Sequence, residues 1–371
     1  EVPEVIGRMI ADNELIDLLL EDLFSGAGKL LYPWLRPLLR ARLRYASRKI
    51  VTVDMLQQHL AIRLKTILDQ TTDGYSFSGL SGLENDKSYV FMSNHRDIAL
   101  DPAITVLGLV ESGRDSLRIA IGDNLLSKPF ASDLMRINRS FIVKRSVVAR
   151  REKLKALKIL SNYIRQSVCN EGISIWIAQA EGRAKDGRDR TETALLKMLA
   201  LSRSKDQDFS SAINELNIVP VSISYEYDPC DADKARELYI AKTGKSYVKT
   251  AFEDLETIKK GFIGYKGRVH VHYGSPCKLA NIGAENLAAD IDDQIFCGYR
   301  LFPSNIVAWQ MLYDSLDVTE LKHCWPDEDW FVAHAKFEKR IEALPEKHRD
   351  IVVQAYASPV TDQLSSSHHR A

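Results

Sequence analysis

The chain has 371 residues, of which 45% are hydrophobic and 27% charged, as expected for a folded chain with one large domain and an appendage. Fifty Lys and Arg residues balance fifty Asp and Glu residues, so the molecule as a whole has no field that attracts nucleic acid. Any contact with a polyanion must come from local clustering of cations, and we expect no nucleic-acid partner.

The first 80 residues are predicted to be helical. Apolar side chains recur at helical spacing from Val5 to Leu20 and again from Met55 to Leu68. Between these patterns, the segment Lys29–Val53 contains seven cations, no acid and three interleaved aromatic side chains. The cations are Lys29, Arg36, Arg40, Arg42, Arg44, Arg48 and Lys49, and the aromatic residues are Tyr32, Trp34 and Tyr45.

This basic segment has two interpretations. It is either a solvated helix face or a surface that docks on anionic lipid. The second interpretation is favoured by the aromatic residues, since Trp and Tyr prefer the membrane interface. Each cation near an anionic surface adds about 1 kcal/mol of attraction. We therefore expect an anionic membrane surface as a peripheral partner.

From Tyr89 onward, short β-branched or aromatic runs alternate with helical patterns. The candidate strands are Tyr89–Ser93, Leu117–Ile121, Ser140–Val143, Ile173–Ala178, Ile218–Ser224 and Arg268–Tyr273. The main helical patterns are Val148–Val168, Arg190–Leu201, Lys234–Lys242 and Ala284–Phe296. This alternation predicts an α/β fold, with a mixed, largely parallel sheet covered by helices on both faces.

These patterns divide the chain into three expected segments. Residues 1–80 form a helical N-terminal domain, residues 81–300 form the α/β domain, and residues 301–371 form a C-terminal helical extension. The polar tail Ser365–Ala371 is expected to be disordered.

The strongest chemical signal follows the first candidate strand. The strand Tyr89–Ser93 ends in Ser-Asn-His-Arg-Asp, which places His95 and Asp97 at its carboxyl edge, and Asp101 follows. A histidine near acids at a strand end lies where α/β sheets place their sites. The alternative is a loop histidine with two helix-capping aspartates. A kinase catalytic loop also begins His-Arg-Asp, but Pro102 occupies the position where that loop needs Asn.

Three later motifs combine strands with unusual end residues. The run Ser140–Val143 is followed by Lys144 and Arg145, and Ile173–Ala178 is followed by Glu181-Gly182-Arg183 and Lys185. Taken alone, such cations are solvated strand ends. The run Ile218–Ser224 contains Pro220, and a Pro inside a strand normally marks an edge or a bulge.

In their order, these motifs resemble the four blocks of the phospholipid/glycerol acyltransferase superfamily. The blocks are the strand-end His with a nearby Asp, Phe-Ile-x-x-Arg at 141–145, Glu-Gly-Arg at 181–183 and Val-Pro-Val at 219–221. Bacterial lysophosphatidate acyltransferases carry Glu-Gly-Thr-Arg, from which one residue is missing here. The soluble glycerol-3-phosphate acyltransferase of plant plastids is also similar, at 121–123 and 176–178 and in its helical N-terminal domain.

The resemblance implies transfer of a fatty acyl group from acyl-CoA or acyl-acyl-carrier protein to a glycerophosphate-type hydroxyl. The preferred acceptor is 1-acylglycerol-3-phosphate, and glycerol-3-phosphate or another lyso-lipid is the alternative. No cofactor is implied. A rival from another class is a non-catalytic lipid- or phosphate-binding scaffold, but such a scaffold has no need of a base.

The resemblance also assigns roles to residues. The chemistry of acyl transfer makes His95 the general base, and it leaves the oxyanion to backbone amides near the helix start after His95. The family places four residues between the His and its Asp, whereas five separate His95 from Asp101, so Asp97 stays a candidate beside the preferred Asp101. The acceptor phosphate is assigned to the cations Lys144, Arg145, Arg183 and Lys185, with Glu181 and Gly182 positioning it.

Cysteine and histidine usage bears on compartment and metal content. The five cysteines are scattered and form no C-x-x-C pair, which favours a reducing compartment. No run approaches the roughly 18 apolar residues that a membrane span needs. His270 and His272 share one face of a strand, but no third ligand is evident, so we expect no metal site. The sequence therefore predicts a cytoplasmic protein that is at most peripheral on the inner face of a membrane.

Overall fold

A computed structural model describes residues 1–23, 31–126, 128–147, 149–250, 252–280, 283–313 and 318–368. The first ten helices are α1 Val2–Ala11, α2 Asn13–Leu23, α3 Tyr32–Ser47, α4 Val53–Thr71, α5 Leu100–Glu111, α6 Pro129–Ile137, α7 Arg150–Arg165, α8 Thr193–Leu199, α9 Phe209–Asn214 and α10 Asp231–Lys242. Six further helices are α11 Glu253–Ile263, α12 Ala284–Gly298, α13 Pro303–Leu312, α14 Thr319–His323, α15 Trp330–Glu342 and α16 Glu346–His368. The strands are β1 Tyr75–Ser78, β2 Val90–Ser93, β3 Arg118–Gly122, β4 Ser140–Val143, β5 Ile175–Ala178, β6 Ile218–Tyr225 and β7 Val269–Tyr273.

The chain divides into two compact units. Unit 1 comprises Glu1–Arg63 and Leu117–Ala156, and unit 2 comprises Leu64–Ser116 and Leu157–Ala371. The three segments expected from the sequence stay a prediction. None of the helices in the described ranges is both long and apolar enough to cross a bilayer.

Unit 1 combines the N-terminal helices with a strand pair. One face of α3 is apolar, and it packs Tyr32 and Leu39 against Ile16 and Leu20 of α2. Strands β3 and β4 run parallel to each other. Burial of one helix stripe against a neighbour is the usual source of stability for such amphipathic helices.

Unit 2 contains a sheet with the strand order β1-β7-β6-β2-β5. Neighbouring strands are parallel except for β6 and β7, which are antiparallel. The predicted mixed, largely parallel sheet, with helices and a preceding helical region, is confirmed. Every residue of β2 and β6 is buried, which explains their nearly continuous apolar runs. Because β2, β5 and β6 are parallel, the loops that follow them leave the same edge of the sheet.

The C-terminal helices form part of the core of unit 2. Residues of α13, α15 and α16 bury a shared apolar cluster that includes Phe337, Tyr356 and Val360 together with Tyr227. Gly187 packs so tightly on α16 that a Cβ atom there would lie 1.9 Å from the carbonyl oxygen of Ala355. The C-terminal extension is therefore joined to the loop that follows β5.

Two predictions of local structure were wrong. Tyr75–Ser78 forms β1, parallel to β7, within the segment predicted to be helical. Its four residues are too few to show a clear alternation beside the long pattern of α4. The helix α16 continues through His368, where a disordered tail was predicted, and residues 369–371 lie outside the described residues. Lys29 and Val148 also lie outside them.

Candidate active site

The loop after β2 brings His95 and Asp101 together. The Nδ1 atom of His95 lies 2.9 Å from Oδ2 of Asp101. The Asp101 side chain is fully buried, whereas that of His95 is 15% exposed. Oδ2 of Asp101 also accepts the backbone amides of Arg96 at 2.6 Å and Asp97 at 2.8 Å, and Oδ1 accepts the hydroxyl of Tyr225 at 2.8 Å. Three donors other than the imidazole therefore hold this carboxylate against the ring.

Asp97 has a different role in the same loop. Its Oδ1 accepts the amides of Ala99 at 3.0 Å and Leu100 at 2.8 Å, which are orphan donors at the start of α5. The side chain is buried and its other oxygen faces Gly261. Burial, reinforced by the nearby charge of Asp101, raises the pKa of Asp97 to about 6. Asp97 thus caps a helix, while Asp101 contacts the histidine.

Most backbone amides at the helix start already donate to carboxylates. Four of the five amides from Arg96 to Leu100 donate to Asp101 or Asp97. An amide that donates to a buried carboxylate is not free for a developing oxyanion. The expectation of oxyanion donors at the helix start is therefore wrong for these four groups, because the loop uses them to fix its two aspartates.

The loop after β5 lies directly against the histidine. The amide of Ala184 donates to the carbonyl oxygen of His95 at 2.8 Å. Gly182 has φ 83°, a left-handed conformation that glycine adopts without strain. The neighbouring Arg183 has a buried Nη1 without a partner among the described residues. This loop therefore contacts the histidine backbone through Ala184, and the preceding Arg183 carries a donor without a partner among the described residues.

The remaining predicted phosphate residues are placed differently. Glu181 is exposed, and its backbone amide donates a hydrogen bond to the carboxylate of Glu192. Lys185 forms an ion pair with Glu237 of α10. Lys144 and Arg145 are exposed residues of unit 1 that follow β4. The structure thus brings Arg183 to the loop beside His95, and it pairs Lys185 with an acid.

Sequence reasoning missed the partners that surround the dyad. Tyr225 ends β6 and reaches Asp101 from a neighbouring strand. The ring of Trp176 in β5 meets that of His95 edge-on, with centroids 5.7 Å apart. Arg96 forms a buried ion pair with Asp189 at 2.5 Å. Burial and the charge of the adjacent Asp101 raise the pKa of Tyr225 well above its usual value, so its hydroxyl stays a donor.

The two histidines of β7 are held by hydrogen bonds within the sheet. His270 contacts the hydroxyls of Ser76 at 2.8 Å and Ser78 at 2.9 Å, and His272 contacts Ser78 at 2.8 Å. Burial lowers the pKa of His270 to about 4, so its ring is neutral at pH 7. These contacts give both side chains a structural role between β1 and β7.

The comparisons with known proteins agree with this geometry. Residues 75–224 match the family model described as Acyltransferase, a range that contains the dyad and the loop of Arg183. This segment is therefore similar to an acyltransferase domain. The matched segment extends from β1 into β6 and includes the loops after β2, β4 and β5.

Solved structures also resemble the chain. Among four matching chains is the 1-acyl-sn-glycerophosphate (LPA) acyltransferase PlsC from Thermotoga maritima. The two proteins share 13% sequence identity with a TM-score of 0.37, and the match covers 66% of this chain and 79% of that one. No curated protein matches the chain.

Proposed function

We propose that this chain transfers a fatty acyl group from acyl-CoA or acyl-acyl-carrier protein to the free hydroxyl of 1-acylglycerol-3-phosphate. The acyltransferase domain supports a glycerolipid acyltransferase in general. The observation that carries the proposal is the contact of 2.9 Å between His95 and the buried Asp101. A scaffold that only binds lipid has no use for a histidine oriented in this way.

The chemistry follows from that contact. With Asp101 at Nδ1, the imidazole presents Nε2 as the proton acceptor. Nε2 takes the proton of the acceptor hydroxyl while the hydroxyl oxygen attacks the thioester carbonyl carbon. The carbon–sulfur bond then breaks, and the departing thiolate receives the proton from the imidazolium. The acceptor oxygen is the nucleophile, so the step needs no acyl-enzyme.

We assign the acceptor phosphate to cations that the resemblance names. A phosphate monoester carries nearly two negative charges and is held best by guanidinium groups. Arg183 supports this assignment because its Nη1 is buried and lacks a partner among the described residues. Lys144 and Arg145 are the further candidates, as the resemblance implies.

The reaction is tested by thiol release from purified full-length protein. Each donor is offered with 1-acylglycerol-3-phosphate, glycerol-3-phosphate and a lyso-aminolipid in turn, and His95→Ala serves as the control. We expect release that depends on 1-acylglycerol-3-phosphate and falls by about 10²- to 10⁴-fold in the variant. If glycerol-3-phosphate is the preferred substrate, it replaces 1-acylglycerol-3-phosphate as the proposed acceptor. Thiol release that needs no acceptor would refute the proposed acyl transfer.

We also propose that α3 docks the protein on an anionic membrane. Trp34, Leu38 and Tyr45 are 78%, 68% and 66% exposed, and their spacing places them on one side of the helix. Around them lie four exposed cations, Arg42, Arg44, Arg48 and Lys49. We call these seven residues the α3 face. Exposed aromatic and apolar side chains bordered by cations match the interface of an anionic bilayer.

Two cations of the basic segment have other partners. Arg36 forms an ion pair with Asp17 at 2.7 Å. Arg40 donates to the carbonyl oxygens of Ile10 and Ala11 at the end of α1. Both therefore stabilise the packing of α3 within unit 1, and we leave them out of the docking surface.

Docking is tested by sedimentation with phosphatidylglycerol and phosphatidylcholine liposomes. Changing Arg42, Arg44, Arg48 and Lys49 to Gln should cost roughly 4 kcal/mol of binding to the anionic liposomes at low salt, and less under screening. Activity on soluble substrates should not change. A control variant removes four exposed cations of α7 instead, namely Arg150, Arg151, Lys155 and Lys158. Equal binding by wild type and the α3 variant would leave only the solvated-face interpretation.

A further inference from the structure

A cavity lies in unit 2 between the acyltransferase domain and the C-terminal helices. It holds about 500 Å³ of empty space, part of which is open to solvent. Its charged lining comprises Arg96, Lys185, Asp228, Asp231 and Lys234. Ile351, Val352, Ala355 and Tyr356 of α16 form another wall, and they lie outside residues 75–224.

The acids of this lining already have donors from the protein. Asp231 accepts Nε of Arg340 at 2.7 Å and the hydroxyl of Tyr356 at 3.0 Å. Asp228 forms an ion pair with Lys234, which also donates to the carbonyl oxygen of Arg96 at 2.7 Å. The carboxylates are thus satisfied, so the cavity is not built to bind a cation.

Its cationic donors are not all satisfied. Arg96 is 9% exposed, and its Nη2 donates to Asp189 at 2.5 Å and to the carbonyl oxygen of Gly187 at 2.9 Å. Its Nε has no partner among the described residues. A buried cationic donor without an acceptor is costly, and an anionic oxygen would satisfy it.

The cavity also reaches the supports of Asp101. Tyr225 lines it and donates its hydroxyl to Oδ1 of Asp101, and the Arg96 amide donates to Oδ2. His95 is not among the lining residues. Because Asp101 occupies Nδ1, the reactive Nε2 lies on the opposite edge of the ring. The cavity therefore approaches the dyad from the side of its carboxylate.

We propose that this cavity is an anion site for a phosphate or carboxylate group, held by Arg96 behind the His95–Asp101 pair. The apolar residues of α16 accept the carbon part of the ligand. The anion site rests on the cavity and its donors. An effect of the bound anion on turnover rests, in addition, on the proposed function.

Binding is measured by calorimetry with inorganic phosphate and, separately, with glycerol-3-phosphate. Ala355→Phe places a large side chain in the cavity and leaves the ion pairs intact, so we expect at least tenfold weaker binding. Gln354→Phe is the matched control, because Gln354 is exposed and does not line the cavity. Arg96→Lys is a second variant that keeps the charge beside Asp189 but loses the Nε donor, and it should also weaken binding. Circular dichroism checks that each variant is folded.

The same titration on His95→Ala separates the site from the reaction, since this variant should bind phosphate without turnover. In kinetics, phosphate that raises only the acceptor KM in wild type, and does not do so in Ala355→Phe, identifies the acceptor's own phosphate as the occupant. If phosphate changes kcat instead, the occupant of the cavity is a free anion that is separate from the acceptor. Absence of saturable phosphate binding by wild type, or equal binding by wild type and folded Ala355→Phe and Arg96→Lys, would overturn the anion site. Phosphate binding by a protein without any acyl transfer would refute the proposed function alone.

Discussion

The loop after β2 and the α3 face both concentrate charged side chains, but in opposite surroundings. In the loop, Asp101 is fully buried and is held by three donors other than the imidazole. On α3, Arg42, Arg44 and Lys49 are exposed to solvent. A charge in a buried site acts at a low effective dielectric, whereas exposed charges are screened by water and salt. A single substitution should therefore be decisive in the loop, and only the sum of several should matter on α3.

The largest effect is expected from Asp101→Asn. The loop should stay assembled, but the amide favours the wrong imidazole tautomer, so turnover should fall by up to about 10⁴-fold. Asp97→Asn makes the same chemical change four residues earlier and should keep near-normal turnover. Rates and melting temperatures of both variants are measured together. Loss of activity in Asp97→Asn alone would assign the dyad to His95 and Asp97.

The second expected effect is the pH dependence of stability that Asp97 causes. Its pKa is about 6 in the folded protein and about 3.9 when unfolded, so the folded state holds the proton more tightly between these values. The stability contributed by this proton is present below pH 4 and is lost as the pH rises through 6. Relative to Asp97→Asn, wild type should lose on the order of 2–3 kcal/mol of unfolding free energy between pH 4 and 7.

Denaturant titrations at several pH values measure this difference. Asp208→Asn is the control, because Asp208 caps α9 at the surface and hydrogen bonds from Ser211 hold its pKa below the usual value. Its stabilising contribution is present at neutral pH and is lost as the pH falls, which is the opposite sign. If the unfolding free energy of Asp97→Asn varies with pH in the same way as that of wild type, the pKa of Asp97 is not raised in the folded protein.

A smaller effect is expected from Arg183→Ala. A charge-assisted pair with the acceptor phosphate is worth roughly 1.5–3 kcal/mol, so the acceptor KM should rise by about ten- to hundredfold. The donor KM should not change. Arg188→Ala is the control, since Arg188 is an exposed cation of the same loop. A changed donor KM with an unchanged acceptor KM would move Arg183 to the donor site.

The smallest effect is expected from a single change on the α3 face. Arg44→Gln should weaken binding to phosphatidylglycerol liposomes by about fivefold at low salt, because one interfacial cation contributes about 1 kcal/mol. The difference should disappear at high salt. A loss that persists at high salt would show that Arg44 makes a specific contact, and the contrast between the two regions would no longer hold.

The sequence predicted local features well. Ser140–Val143 has the same bounds in the prediction and in the structure, because its apolar run has the length of a strand and ends at two cations. The structure places Asp101, and not Asp97, in contact with His95, while the catalytic role of that pair stays a prediction. Both rest on residues close together in the chain, where spacing and strand direction limit the possibilities.

Features that depend on distant residues could not be predicted. Tyr225 lies 124 positions from Asp101 in the sequence, and no pattern of hydrophobic residues predicts their contact. Pro220 suggested an edge strand, yet β6 lies between β7 and β2. The carbonyl oxygen of Pro220 accepts the amide of Gly274, so its missing N–H faces the side where β7 has ended at Tyr273. The tolerance for this Pro depends on where the neighbouring strand stops.

The close packing of Gly187 on Ala355 limits how residues 75–224 can be moved into another protein. With φ 76° and α16 within contact, position 187 accepts no larger residue unless the helix moves. The carbonyl oxygen of the same glycine accepts a hydrogen bond from Arg96, and the hydroxyl of Ser358 in α16 donates to the carbonyl oxygen of the neighbouring Asp186. A minimal fragment cut at the borders of the matched segment would therefore lose one side of its own active-site loop. A working graft has to carry α16 with it.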